Sequence, residues 1–101
     1  SSEAHVALTI NSRENLLGCE IYISRNKELF NFLQERKEEI EKEIGEQAEW
    51  MNAAVASRIK IKKEIPDLFS QSEAENYFAW LYEKTTLFQK VFGRHFREFN
   101  K

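Results

Sequence analysis

Apolar and polar residues alternate with a period of two along the first quarter of the chain. In "AHVALTI", Val6, Leu8 and Ile10 alternate with small or polar residues, which is the pattern of a half-buried strand. The turn-forming cluster "NSREN" follows. The segment "LLGCEIYIS" then alternates again, with the apolar side chains between Leu17 and Ile23 on one face and Glu20 on the other. We therefore predict that the two strands pair as a hairpin.

Between Ser24 and Ile44 the period changes to that of a helix. Ser24 or Asn26 is suited to cap its first turn, and Gly45 to end it in the left-handed conformation. The stripe along one side of this segment consists of Leu29, Phe30, Leu33, Lys37, Ile40 and Ile44. We predict one continuous helix whose opposite, acidic side faces solvent.

The second half of the chain repeats this order. "EQAEWM" and "ASRIKIKKE" predict a second hairpin that turns at residues 52–55. Ser72 and Glu75 have the spacing of a capping box, from which a last helix extends to about Phe99. The order β-β-α-β-β-α predicts an α+β fold: a two-layer, four-stranded, mainly antiparallel sheet with two helices on one face.

The last helix has a wider apolar surface than packing on one sheet requires. With residues 100° apart, its apolar members span roughly 220°, whereas a helix on one sheet needs about 100° or somewhat more. One edge of the arc holds Trp80, Leu87 and Val91, the centre Tyr77, Leu81, Phe88 and Phe92, and the other edge Phe78, Tyr82 and Phe96. The surplus predicts a second packing surface, against the first helix, a partner subunit or further sequence.

The totals indicate one globular domain. A chain of 101 residues, 42% hydrophobic and 32% charged, is long enough for a single core. Nucleic-acid binders are usually basic, so the net charge of −2 leaves only a local patch for such a role. The single cysteine, Cys19, excludes an internal disulfide and indicates a reducing compartment, the cytoplasm. No apolar run reaches the ~20 residues of a membrane span. The Ser-Ser start indicates a C-terminal fragment of a longer protein.

Residues that could support catalysis are few. The two histidines, His5 and His95, are far apart, and only His95 has a carboxylate at helical spacing, Glu98. One histidine, one glutamate and a remote cysteine do not supply the three or four ligands of a zinc site. We interpret His95 as a half-buried polar residue and Cys19 as a small core residue. The three glycines are isolated, so no phosphate-binding loop is present, and we predict no metal and no cofactor.

Nuclease chemistry requires two or three carboxylates and a lysine around Mg²⁺, often on a hairpin. Pro66 and Asp67 could begin such a motif, but no acid-x-Lys strand follows them. The segment Glu35–Lys37 has that spacing, yet it lies on a predicted helix and precedes Asp67. We therefore predict no autonomous nuclease and no catalytic residue.

A row of cations follows the strand "ASRIKIKKE". Its members are Arg58, Lys60 and Lys62 on one face, with Lys63 next in the chain. Four cations can neutralise a few phosphates, in a salt-sensitive contact without sequence preference. A half-buried antiparallel strand also needs polar residues on its outer face, and we expect Glu49 to lie near Arg58 or Lys60 and weaken the patch. The residues alone are compatible with a nucleic-acid contact and with a solvated face.

From Ala4 to about Phe92 the chain resembles a known family. The resemblance rests on "IYISRNKELFNFLQERKEEIEKEIGEQAEWM", then "ASRIKI", then "FAWL". Together these segments are similar to the domain of unknown function 4268, found in bacteria and archaea. The resemblance implies a domain that often lies C-terminal to a restriction-endonuclease-like domain and whose own activity is not established. The resemblance also implies an aromatic-rich helix before the first strand, and residues 1–101 do not include that segment.

Three hypotheses follow. The first is a non-catalytic accessory module that packs against a nuclease-like domain, a protein partner or its own copy, and helps to engage DNA. The second is a direct nucleic-acid binder that uses the row of cations. The third is an enzyme with a site around His95, Glu98 or Cys19, which requires these groups to converge in one pocket.

Overall fold

A computed structural model describes residues 3–101 of the chain. Its strands are β1 (Ala4–Asn11), β2 (Leu16–Ser24), β3 (Glu49–Asn52) and β4 (Ala56–Glu64). Its helices are α1 (Lys27–Gln34), α2 (Lys37–Ile44) and α3 (Ala74–Phe99), and a short 3₁₀ turn over Gln71–Glu73 precedes α3. The fold is therefore α+β, with a four-stranded antiparallel sheet and three helices.

The four strands are ordered β1-β2-β4-β3, and every neighbouring pair is antiparallel. Both predicted hairpins are confirmed, β1 with β2 and β3 with β4. The sheet is completed by pairing β2 with β4, which places Cys19 opposite Ile61 and Glu20 opposite Lys60. The alternation predicted for β2 and β4 is also confirmed, because Cys19, Ile21 and Ile59 are buried on the face towards the helices.

The prediction of one continuous helix over Ser24–Ile44 is wrong, because the helix is interrupted at Glu35 and Arg36. The backbone of Arg36 leaves the helical region, at φ −104° and ψ 17°. A continuous helix would direct Lys37 into the apolar stripe; after the break this lysine is exposed. Its ammonium group stays in water, while Ile40 and Ile44 still reach the core.

The predicted ends of this helical region are confirmed. Asn26 caps α1, since its Oδ1 accepts a hydrogen bond of 2.9 Å from the backbone N–H of Leu29. Gly45 ends α2 with φ 82°, a left-handed conformation that is strained for residues with a Cβ. The predicted capping box at Ser72 and Glu75 does not form: α3 begins at Ala74, after the 3₁₀ turn.

The core lies between the apolar face of the sheet and the helices. Its main cluster joins β2 and β4 to all three helices through Phe30, Leu33, Ile40, Phe88 and Phe92, among others. A smaller cluster at the start of α3 contains Leu17, Ile65, Tyr77 and Leu81. Since α3 packs against both the sheet and the other helices, the first helical region accounts for part of its wide apolar arc.

Candidate functional site

Arg58, Lys60 and Lys62 lie on the face of the sheet opposite the core, as their alternation with buried isoleucines predicts. Two carboxylates accompany them. Glu20 on β2 accepts a hydrogen bond from Arg58 Nε at 3.0 Å and lies 3.8 Å from Lys60 Nζ. Glu49 on β3 pairs with Lys62 at 2.7 Å. Most of the row's positive charge is therefore neutralised within the domain.

Glu49 was predicted to lie on the outer face near Arg58 or Lys60. It lies opposite Lys60 in the strand register, and its ion pair is with Lys62. Its hydrogen bond and its charge raise the pKa of Lys62 above the ordinary lysine value. Glu20 is buried, with only 4% of the residue exposed, and this burial was not predicted. No local signal indicates this burial, because it depends on the pairing of β2 with β4.

Lys63 does not belong to the row. It lies opposite Leu17, whose side chain is buried on the helical side of the sheet, so Lys63 is on that side as well. It lines a shallow cleft there with Pro66, Trp80 and Glu83. Of the four cations predicted to contact nucleic acid, three share a face and the fourth faces away from them.

Gly18 allows Lys60 to extend across β2 towards β1. A Cβ at residue 18 would collide with the Thr9 hydroxyl and would lie only 2.8 Å from Cε of Lys60. Beyond this crossing, Lys60 and Lys62 line an open cleft of about 500 Å³ with the β1–β2 turn, including Arg13. Arg13 was not predicted to belong to this surface, because the β1–β2 turn meets the row only in the folded sheet.

His95 is the centre of a second polar cluster, between α2 and α3. Its Nδ1 lies 3.2 Å from Nη1 of Arg36, and its Nε2 lies 2.8 Å from a carboxylate oxygen of Glu43. Arg94 forms an ion pair with the other oxygen of Glu43. His95 was predicted to be half-buried, but only 2% of it is exposed. The partner at hydrogen-bond distance is Glu43, rather than the predicted neighbour Glu98.

The contacts of His95 determine its protonation. A guanidinium group only donates hydrogen bonds, so Nδ1 accepts from Arg36. At Nε2 the contact to Glu43, at 2.8 Å, is shorter than the 3.4 Å contact to Arg94, so Nε2 carries the ring proton and donates it to Glu43. Burial, and then the charge of Arg94, lower the pKa of His95 below its ordinary value. In this arrangement both ring nitrogens of the neutral imidazole are engaged.

The same cluster has some of the geometry of a metal site. Glu39, Glu43 and His95 each offer a ligand atom, and these atoms lie within 4.8 Å of one another. A cation bound among them would face the guanidinium groups of Arg36 and Arg94, and Glu43 and His95 would have to give up their present partners. The arrangement is better explained as an ionic network that joins the α1–α2 break to α3.

The other candidate catalytic residues do not converge. Asp67 is tied to the start of α3, because Tyr77 donates a hydrogen bond to its backbone carbonyl. Arg36, between Glu35 and Lys37, contacts His95 near the end of α3. His95 lies 18 residues after Tyr77, which is about 27 Å along the helix at 1.5 Å per residue. The two parts of the nuclease-like pattern thus lie at opposite ends of the domain.

Cys19 is also remote from His95. Its thiol lies beside Thr85, ten residues and therefore about 15 Å before His95 along α3. Burial raises the pKa of Cys19 to about 11, so the thiol stays protonated at neutral pH. Of the three residues named in the enzyme hypothesis, His95 and Glu98 line one small cleft, of about 260 Å³, and Cys19 lies away from it.

Four large apolar side chains at β1 and α3 remain exposed. The exposed fractions are 48% for Leu8, 59% for Ile10, 69% for Phe78 and 66% for Tyr82. On the opposite edge of the α3 arc, Val91 is buried, and Trp80 and Leu87 pack against the core. Phe96, on the same edge as Phe78 and Tyr82, is half-buried and packs against Phe92.

The topology of the domain places these four residues on the same flank. Ile10 on β1 pairs with Leu17 on β2. Leu17 packs against Tyr77 and Leu81 of α3, and each of these two residues is followed directly in the chain by a docking residue, Phe78 or Tyr82. The end of β4 borders the opposite flank of α3, near Trp80. Since β1 and β4 lie on opposite sides of β2, the flank with Phe78 and Tyr82 faces β1. We call Leu8, Ile10, Phe78 and Tyr82 the docking surface.

The fold and these surfaces define a small α+β domain with a neutralised outer sheet face, a closed ionic network and an exposed apolar flank. The family model for the domain of unknown function DUF4268 matches residues 1–95, and the chain belongs to that family. No curated protein and no solved structure matches the chain. Within residues 3–101, none of the helices combines the length and the apolar character needed to cross a membrane.

Proposed function

We propose that this domain is a non-catalytic interaction module that joins a nuclease-like assembly through the docking surface. The observation that supports this most directly is the exposure of Leu8, Ile10, Phe78 and Tyr82 on one flank. Contiguous apolar area on a small domain is favourable to bury against a partner, and it marks interaction sites. The nuclease-like context comes from the family resemblance, since such domains often follow a restriction-endonuclease-like domain.

The module is proposed to act in a reducing compartment, the cytoplasm. The support is that the chain has a single cysteine, Cys19, and that this residue is buried. Free cysteines of this kind are typical of proteins from reducing compartments.

Binding to a purified nuclease-like domain from the full-length protein tests the docking proposal. Two-dimensional amide NMR spectra of the chain should show shifts at Leu8, Ile10, Phe78 and Tyr82 when that domain is added. Replacing both aromatic residues, Phe78→Glu with Tyr82→Glu, should weaken the complex by at least about tenfold, because exposed aromatic anchors carry much of the energy of interfaces.

The control is Val55→Glu, which introduces one glutamate at an exposed apolar residue in the β3–β4 loop, outside the docking surface. This variant should bind as tightly as the unchanged chain. Equal binding by the double variant, or shifts confined to other parts of the domain, would contradict the docking proposal.

Contact with nucleic acid through the outer row is a second candidate, favoured by the loose pairing of Lys60. Glu20 and Glu49 pair with the row, and Glu14 and Glu64 add negative charge near Lys62, but Lys60 has the longer of the two contacts to Glu20. A loosely paired cation beside the open cleft is suited to a phosphate group. Such binding would be weak and without sequence preference.

Lys60→Glu tests this candidate. In fluorescence anisotropy with a DNA duplex, the unchanged chain should bind less tightly as salt rises from about 50 to about 200 mM. Lys60→Glu should weaken binding at low salt and reduce the salt slope by about 1. Lys63→Glu makes the same change of charge on the opposite side and should have little effect. Absence of binding by the unchanged chain at low salt would exclude this candidate.

A further inference from the structure

The strand β1 is an exposed edge that carries no charge. It forms one end of the strand order, and all eight of its residues, "AHVALTIN", lack a carboxylate, a lysine, an arginine or a proline. Natural edge strands are usually protected from pairing by such residues or by being short. The opposite edge strand, β3, has only four residues and carries Glu49. Within residues 3–101, β1 is the long and unprotected edge.

The free backbone groups of β1 lie on alternate residues. The N–H of Ser24 donates to the carbonyl oxygen of Glu3, so the odd-numbered residues on this side of the sheet form the hydrogen bonds to β2. In an antiparallel pair the hydrogen-bonding direction alternates, so the backbone groups of Ala4, Val6, Leu8 and Ile10 point away from β2. Their side chains are on the helical side, where Leu8 and Ile10 belong to the docking surface.

We infer that β1 pairs with β1 of a second copy of this chain, antiparallel and about a two-fold axis, to form one sheet of eight strands. A two-fold interface places the same surface of both copies together. Because β1 carries no charged residue, pairing it with β1 of the second copy places no like charges opposite each other. The two edges have equal length, so each free backbone group of one strand has a partner on the other.

Side-chain size specifies the register. With the axis at Ala7, Ala4 lies opposite Ile10 and Val6 opposite Leu8, so that small residues face large ones on the helical side. His5 lies opposite Thr9 on the outer face. Each cross-strand apolar pair adds stability to such a sheet. Pairing also brings the docking surfaces of both copies to the same side of the joined sheet.

This pairing engages Leu8 and Ile10 through the edge of β1, whereas Phe78 and Tyr82 lie on α3 and take no part in the strand register. Substitutions of Phe78 and Tyr82 therefore test the docking of a nuclease-like domain separately from the pairing. A monomeric chain whose nuclease binding is lost on changing Phe78 and Tyr82 would refute the pairing alone. A dimer that binds no nuclease-like domain would refute only the docking.

Analytical ultracentrifugation of the 101-residue chain tests the pairing. Because small interfaces are weak, the measurement extends from about 10 μM to about 1 mM. The average mass should rise from 12.0 kDa towards twice that value. Leu8→Lys places a charge on the edge without disturbing the core and should hold the mass at that of one chain. Val55→Lys, an equivalent exposed change at the β3–β4 loop, should leave association unchanged.

Disulfide trapping locates the contact. Ala7 would form a non-hydrogen-bonded pair with its own copy, with Cα atoms about 4.5 Å apart, which suits a disulfide. Ala7→Cys should therefore yield a covalent dimer on mild oxidation, whereas Met51→Cys on β3 should not. Cys19 is buried and should not interfere.

A mass of one chain at every concentration, or unchanged association of Leu8→Lys, would overturn the pairing. Association without a covalent dimer of Ala7→Cys would overturn the register centred on Ala7.

Discussion

Phe88→Ala should lower the free energy of unfolding by about 3–5 kcal/mol, the usual cost of removing a fully buried phenyl ring. Phe88 is completely buried at the centre of the main core, with its ring centroid 5.1 Å from that of Phe92. A chain of this length has a total stability of about 5–15 kcal/mol, so the variant should be close to unfolding at room temperature. Urea denaturation followed by tryptophan fluorescence measures the change.

Phe78→Ala is the matched control for this prediction. It removes the same side chain from the same helix, but Phe78 lies on the exposed docking surface. Its effect on the free energy of unfolding should stay within about 0.5 kcal/mol. A loss of stability as large as that of Phe88→Ala would mean that Phe78 is buried within the domain, and that the docking surface is not available.

His95→Ala should lower the free energy of unfolding by about 2–4 kcal/mol. The substitution leaves a cavity at the end of the core and removes the acceptor of Arg36 and a donor to Glu43. Chemical denaturation near pH 7.5 measures the loss. The other histidine, His5, is exposed on the outer face, and His5→Ala should cost less than about 1 kcal/mol. Equal costs would contradict the network.

The His95 network should also make stability depend on pH. Burial and the charges of Arg94 and Arg36 lower the pKa of His95 from its usual 6.5, outweighing the opposing charges of Glu39 and Glu98. The unfolded chain therefore takes up a proton at His95 before the folded chain does. The stabilising contribution is complete above about pH 6.5 and declines as the pH falls from there towards the lower folded-state pKa.

Measurements between about pH 7.5 and about pH 5.5 isolate this effect, because most carboxylates titrate at lower pH. Over that range, the free energy of unfolding should decrease on acidification. His95→Gln keeps the hydrogen-bonding capacity without the titration, so its stability should fall less steeply. An equal slope in both proteins would show that His95 keeps its ordinary pKa.

The docking surface and the outer sheet face show how far patterns along the chain predict candidate sites. The apolar arc of α3 was predicted to exceed the needs of one sheet, and both of its edges were candidates for an interface. Trp80, Leu87 and Val91 pack within the domain, whereas Phe78 and Tyr82 remain exposed. Helical periodicity places residues around an axis, but it does not say which side a neighbouring element covers.

Glu20 illustrates the same limit for the sheet. The alternation of β2 placed it on the outer face, as observed, yet its contacts with Arg58 and Lys60 depend on β4 lying beside β2. A strand 40 residues away in sequence becomes a neighbour only through the long-range pairing of the two hairpins. Its burial therefore could not be anticipated from local pattern.

The sequence by itself determined the four strands and the two helical regions, the two hairpins, the caps at Asn26 and Gly45, and which residues of β2 and β4 face the core. These features depend on periodicity and on backbone preferences, which act between residues a few positions apart. Tertiary structure decided the pairing of β2 with β4, the interruption of the helix at Arg36, which allows the Arg36 side chain to contact His95, and the exposure of β1 on the flank of Phe78 and Tyr82. Each of these results from contacts between distant segments, where burial and charge pairing are settled only once the whole domain has packed.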